Sequence, residues 1–214
     1  MFKMAVFDLD GVLTDTAKYH YLAWKELADE LGFEFTHAHN ERLKGVSRMR
    51  SLEILLEVGS FESKFTEEEK AQMAEDKNNR YAEYIKQLTP DDLLPGAEKT
   101  LKELKERGVL IGLGSASKNA PEILTRLGIT NWFNVITDGT KTQKPKPDPE
   151  VFTLCADTMG IEREKCVVFE DAQAGVDAAR AAGMAVVGVG KAENLSGVDM
   201  LISGLNEFDA DVFF

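Results

Sequence analysis

Two rhythms of apolar and polar residues divide this chain. From about residue 89 onward, short apolar runs alternate with segments of helical period. The pattern there predicts strands at 109–113, 135–136, 166–169 and 185–189, separated by helices at 97–107, 121–127, 149–159 and 172–182. Strands alternating with helices of about ten residues build right-handed βαβ units on a parallel sheet. A further apolar run, Met4-Ala5-Val6-Phe7, reads as a strand buried on both faces. Between it and the alternating half lies a stretch with helical period alone. Thr16 can cap a helix ending at Gly32, with Thr16, His20, Trp24, Leu27 and Leu31 on one face. Two more helices are predicted at 47–58 and 66–88, the latter opening on Glu67, Glu68 and Glu69. The expectation is an α/β core from residues 1–16 and 89–214, with a small all-helical domain, 17–88, inserted after the first strand.

In such sheets, ligands sit outside the carboxyl ends of the strands. The first strand ends in Asp8-Leu9-Asp10-Gly11, and residues two apart in an extended backbone leave on the same face. Two carboxylates in one crevice repel unless a cation or shared proton compensates. By itself the segment could be a D-G turn with two solvated acids. The second strand leads into Gly114-Ser115-Ala116-Ser117-Lys118-Asn119, small and hydroxyl residues before a helix, suited to a phosphate or simply to capping. The third leads to the Lys144-Pro145-Lys146-Pro147-Asp148 run, where the prolines would fix Lys144 in place. The fourth ends in Glu170-Asp171. Together these groups form an oxygen-rich site with a cation and hydroxyls beside it. Carboxylates with no nearby His or Cys suit a hard ion, and Mg²⁺ is the usual one with phosphoryl substrates. Asp8 would attack phosphorus, Mg²⁺ and Lys144 would neutralise the transferring group, and Asp10 would exchange a proton with the leaving and accepting oxygens.

Composition narrows the field. With 25 basic and 37 acidic residues the 214-residue chain carries a formal charge of −12, so it has no overall attraction for nucleic acid or an anionic membrane. Cys155 and Cys166 have no metal-ligand spacing and fit a reducing cytoplasm. No apolar run reaches the ~18 residues of a membrane span, and no secretory signal is visible. The acidic ending, 208–214, suggests no role.

The ordered set Asp8-x-Asp10, Ser115, Lys144 and Glu170-Asp171 resembles the haloacid dehalogenase superfamily of phosphotransferases. The resemblance covers nearly the whole chain and implies a HAD-like, Rossmann-like core with a helical cap. The stretches FDLDGVLTDTAKYHYLAWK, LKGVSRMRSLEILL, DKNNRY, GSASKNAPEIL, KPKPDPEVF and FEDAQAGVDAA look like those of its sugar-phosphate mutases. That likeness implies exchange of β-D-glucose 1-phosphate and glucose 6-phosphate through an aspartyl phosphate on Asp8, with β-glucose 1,6-bisphosphate as activator and intermediate. It implies Mg²⁺ held by the Asp8 carboxylate, the Asp10 carbonyl and the Asp171 side chain, with Glu170 in support. Ser115 and Lys144 would bind the transferring phosphoryl group, and Ala116 would belong to the substrate site. Arg48, Ser117 and Asn119 would take the other phosphate. Thr16 at the hinge and His20, Trp24, Lys25, Lys44, Gly45, Val46, Ser47, Ser51 and Lys77 from the cap would complete the substrate site. The implied protein is a cytoplasmic monomer acting on a small-molecule sugar phosphate.

Cap residues can also be read structurally. His20 and Trp24 lie on an apolar face, where packing would account for them. Lys44 and Arg48 flank a Gly-Val-Ser turn with no evident structural task, and an Arg fork suits phosphate. Lys77 has Met73, Ala74, Arg80 and Tyr81 as its helical neighbours, so no acid shares its face. A phosphatase could use the same core residues with water as acceptor. A non-catalytic phosphometabolite binder would have no need of Asp8 beside Asp10.

Overall fold

The computed structural model describes residues 1–43 and 46–214. Lys44 and Gly45, named above as substrate-binding candidates, lie outside the described residues. The chain forms two compact units, Met1–Asp15 with Leu88–Phe214, and Thr16–Gln87.

The first unit is built on a six-stranded sheet with all neighbours parallel, in the order β3-β2-β1-β4-β5-β6. Its strands are β1 (Met4–Phe7), β2 (Leu110–Gly114), β3 (Val135–Thr137), β4 (Cys166–Glu170), β5 (Ala185–Val189) and β6 (Met200–Ile202). β1 is wholly buried, as its unbroken apolar run requires, and pairs with β2 on one side and β4 on the other. Alternate side chains of β1 serve different layers. Met4 and Val6 join Phe152, Cys155, Val168 and Val176 in one apolar cluster. Phe7 stacks on Phe169 at 4.5 Å, and Phe169 meets Phe208 edge-on at 4.8 Å. Each such buried ring contributes about 1.5–3 kcal/mol. The acidic ending therefore has a task that sequence did not reveal. Phe213 and Phe214 pack on Phe2, and Phe2 N donates to Phe213 O. β6 was not foreseen either, because three residues beside Asp199 carry too little periodic signal.

Around the sheet run α5 (Ala97–Glu106), α6 (Ala120–Arg126), α7 (Glu150–Met159) and α8 (Gln173–Ala181). Leu94 N donates to Leu13 O and Thr14 Oγ1 to Asp92 O, so the sheet unit's chain leaves and returns at one spot.

Among its described residues the second unit is helical, with α1 (Ala17–Leu31), α2 (His37–Glu41), α3 (Arg48–Gly59) and α4 (Glu67–Ile85). Gly32 ends α1 in the left-handed conformation, φ 85°. Ser47 Oγ caps α3 by accepting from Arg50 N, and Thr66 and Glu69 form a reciprocal capping box for α4. At α2 the same box is made with an imidazole. Thr36 N donates to His39 Nδ1 and His39 N to Thr36 Oγ1, a pairing that sequence reading for Glu or Gln at N3 overlooks. Thr16 precedes α1 without a side-chain cap bond; its Oγ1 accepts from Tyr81 OH instead. Trp24, Leu27, Phe35, Leu52, Leu55 and Leu56 close this unit's core.

Candidate active site

Asp8 follows β1 directly, and its backbone N donates to Phe169 O, which ties it to the end of β4. Its carboxylate accepts from Lys146 Nζ at 2.6 Å, and the same ammonium donates to Glu170 Oε2 at 2.7 Å. All three side chains are buried. Glu170 Oε1 also accepts from Ala172 N. Oxygens of Asp8, Glu170 and Asp171 all lie within 4.8 Å of one another. Two glycines make this convergence possible. A Cβ on Gly11 would stand 2.0 Å from Asp171 Oδ2, and one on Gly175 would stand 2.1 Å from Glu170 Cδ. Gly11 also holds φ 82°, a conformation that L side chains avoid.

Electrostatics follow from three acids gathered around one ammonium. Burial, then the charge of Asp8, pushes Glu170 up to about 7, with Lys146 opposing. Burial, then Glu170, Asp8 and Asp10, pushes Asp171 up to about 8. Burial disfavours charge on Lys146, but Asp8 and Glu170 outweigh it and hold the ammonium above its ordinary value. The cluster has more negative charge than Lys146 neutralises, and every metal-competent donor in it is oxygen. A hard divalent cation such as Mg²⁺ fits that donor set.

Lys144, expected to face this cluster, does not. Its side chain is 70% exposed and sits 3.5 Å from Asp148, while its backbone N donates to Glu150 Oε2. Lys146 takes the inward position, with Nζ 4.8 Å from the Phe152 ring centroid. Both lysines precede a proline, so local sequence cannot separate them; packing of the loop against α7 does. At the end of β2, Ser115 is buried and its Oγ accepts from Ser117 N, while Ser117 Oγ accepts from Asn119 N. These hydroxyls wind the chain toward α6. Ala116 is exposed.

In the helical unit, α1 and α4 bring His20, Trp24 and Lys77 together. Lys77 Nζ is 2.8 Å from His20 Nδ1, 4.4 Å from the Trp24 ring centroid and 5.2 Å from that of Tyr81. His20 stacks on Tyr81 at 3.9 Å. Burial, then Lys77 and Arg48, lowers His20 well below its ordinary 6.5, so the ring is neutral and offers Nδ1 as acceptor. Arg48 donates to Glu75 Oε2 at 3.1 Å and to Asn78 Oδ1 at 2.8 Å. Ser51 is buried in α3 and Val46 packs on the unit's apolar cluster. Lys25 is a different case: it is a surface residue bonded to Asp29 at 2.6 Å, a partner one turn away that accounts for it. Sequence reading missed Lys146, Gly175 and Asn78. The DKNNRY stretch holds Asn78, but nothing in it says which asparagine meets an arginine 30 residues back.

The family model for haloacid dehalogenase-like hydrolases matches residues 2–183. The chain belongs to that family. Among relatives of this haloacid dehalogenase-like chain, the Bacillus subtilis protein named β-phosphoglucomutase is 46% identical over 200 residues, covering 94% of this chain and 88% of that one. The Thermotoga maritima phosphorylated carbohydrates phosphatase is 32% identical over 181 residues, covering 84% and 81%. The crystal structure of β-phosphoglucomutase from Clostridium difficile superposes with a TM-score of 0.94 at 44% identity, covering 99% of this chain and 95% of that one. Among the described residues no helix is long and apolar enough to cross a membrane.

Proposed function

We infer that this chain is a β-phosphoglucomutase, an isomerase that interconverts β-D-glucose 1-phosphate and β-D-glucose 6-phosphate. The observation that carries the choice of reaction is the 46% identity to the Bacillus mutase across 94% of the chain. The site supplies a mechanism in keeping with it. Asp8 attacks a phosphorus of the activating β-glucose 1,6-bisphosphate, and the bond from that phosphorus to the sugar oxygen breaks as the aspartyl phosphate forms and a glucose monophosphate leaves. Asp10 gives a proton to the departing oxygen and takes one from the sugar hydroxyl that next accepts the group. The sugar thereby passes through β-glucose 1,6-bisphosphate, which must turn round for its other phosphate to meet Asp8. Lys146 neutralises charge on the transferring group, beside Ser115. Asp8, Asp171 and the Asp10 carbonyl would hold Mg²⁺, with Glu170 behind them. When bound, that ion supplies further positive charge to the phosphoryl oxygens. Arg48 is assigned to the non-transferring phosphate, with Ser117 and Asn119, and His20 and Lys77 to the sugar phosphate.

The Thermotoga relative supports a second reading, a sugar-phosphate phosphatase in which water is the acceptor. Product balance decides between them. Given β-glucose 1-phosphate, Mg²⁺ and a trace of the bisphosphate, the enzyme should form glucose 6-phosphate without matching inorganic phosphate. Stoichiometric phosphate release would establish the phosphatase instead. An Asp8→Ala variant that still turns over would exclude both.

A further inference from the structure

We propose that Glu150 is a positioning residue for phosphoryl transfer and acts through Lys146. The proposal rests on the reading of Lys146 as the cation facing the transferring group. Segment Gln143–Pro149 contains three prolines, so only four of its seven residues offer a backbone N–H. Glu150 Oε2 accepts two of those four, from Gln143 at 2.9 Å and Lys144 at 2.7 Å. The loop is closed further by Glu150 N donating to Asp148 Oδ1 and Asp148 N to Pro145 O. Two residues beyond the clamped amides, Lys146 sends its ammonium between Asp8 and Glu170. A charge at the first turn of α7 is also favoured by the helix dipole, which would make Glu150 merely structural. The geometry separates the two roles. A dipole interaction needs only a negative charge near the helix start, whereas the clamp needs an oxygen that reaches both amides at once.

The test compares Glu150→Ala, Glu150→Gln and Glu150→Asp with the parent enzyme in Mg²⁺. It reads thermal unfolding and the rate at which acetyl phosphate phosphorylates Asp8. Loosening the Lys146 loop by an ångström should slow transfer by about 10- to 100-fold in Glu150→Ala, with KM for acetyl phosphate within about twofold. Glu150→Gln keeps the accepting oxygen without the charge and should stay within about threefold of the parent. Glu150→Asp keeps the charge but is one methylene too short, so it should be slow and well folded, which guards against a misfolded Ala variant. In a Lys146→Ala background, Glu150→Asp should change the rate by less than about twofold, because sites acting through one group are non-additive. Equal slowing in both backgrounds, or an Asp variant as fast as the parent, overturns the proposal. If Lys146→Ala alone leaves the rate intact, the reading of Lys146 fails and the role of Glu150 falls with it.

Discussion

Two buried lysines, Lys146 in the sheet unit and Lys77 in the helical unit, sit among different neighbours. Lys146 lies between the carboxylates of Asp8 and Glu170, so its charge is met by charges of the site itself. Neighbours of Lys77 include the neutral imidazole of His20 and the faces of Trp24 and Tyr81. The first arrangement locks an ammonium against a nucleophile and leaves the cluster acidic enough for a divalent cation. In the second, a neutral imidazole and two aromatic faces help to orient an ammonium. Arg48 combines both, with a carboxylate on one amino group and a neutral amide on the other. At Lys146 the sheet unit compensates charge with charge, and at Lys77 the helical unit adds neutral groups that orient a cation.

The sharpest way to break this contrast is to remove Lys146 and, separately, Lys144. Lys146→Ala should lower mutase kcat by about 10²–10³-fold, as loss of a buried donor at a developing charge does. Lys144→Ala, which trims an exposed side chain, should stay within about twofold. The check is steady-state formation of glucose 6-phosphate. Comparable losses in the two variants would mean that the loop presents a different lysine in the working enzyme. A smaller effect should come from Gly175→Ala, whose new methyl would collide with Glu170. Displacing a support of the metal ligands should weaken Mg²⁺ by about 10- to 100-fold, measured as the Mg²⁺ concentration for half-maximal turnover. An unchanged Mg²⁺ requirement would remove Glu170 from the supporting set.

That pair of variants marks where sequence stopped being informative. β1, β2, β4 and β5 were legible because a strand buried on both faces is an apolar run, and the run's end locates the chemistry. Asp8, Asp10, Ser115 and Glu170-Asp171 could be named for that reason. Lys146 could not, because the segment offers two lysines in the same Lys-Pro setting and the choice depends on Glu150 and Phe152, which belong to the next helix. α2 and β6 were too short to show a period, and the aromatic tail gains its meaning only from Phe2 and Phe169, distant in the chain. In the helical unit the same limit applies to Asn78. Its value lies in a pairing with Arg48 that no local pattern encodes.

Arg48 sharpens the comparison from the helical side. Arg48→Ala should cost mutase flux about 10- to 100-fold, the worth of a charged hydrogen bond, while Asp8 phosphorylation by acetyl phosphate, which has no second phosphate, changes little. Equal losses with both substrates would move Arg48 from substrate binding to the stability of its unit.

The smallest effect concerns His20, a neutral neighbour of Lys77. His20 is held well below 6.5 by burial, then by Lys77 and Arg48, so the folded protein resists protonating it. The unfolded chain accepts that proton near 6.5 and therefore binds more protons than the folded one as pH falls below that value. The contribution of His20 to stability is complete above the unfolded value and is lost on acidification, at no more than about 1.4 kcal/mol per pH unit for one proton. Carboxylates elsewhere add their own acid sensitivity, so the informative quantity is the difference between the parent and His20→Gln, which keeps polarity but cannot titrate. Between pH 7 and 5.5, thermal unfolding of the parent should fall more steeply than that of the variant. Parallel curves would show that protonated His20 is tolerated beside Lys77. The part of the comparison that gives neutral His20 a role in orienting Lys77 would then fail.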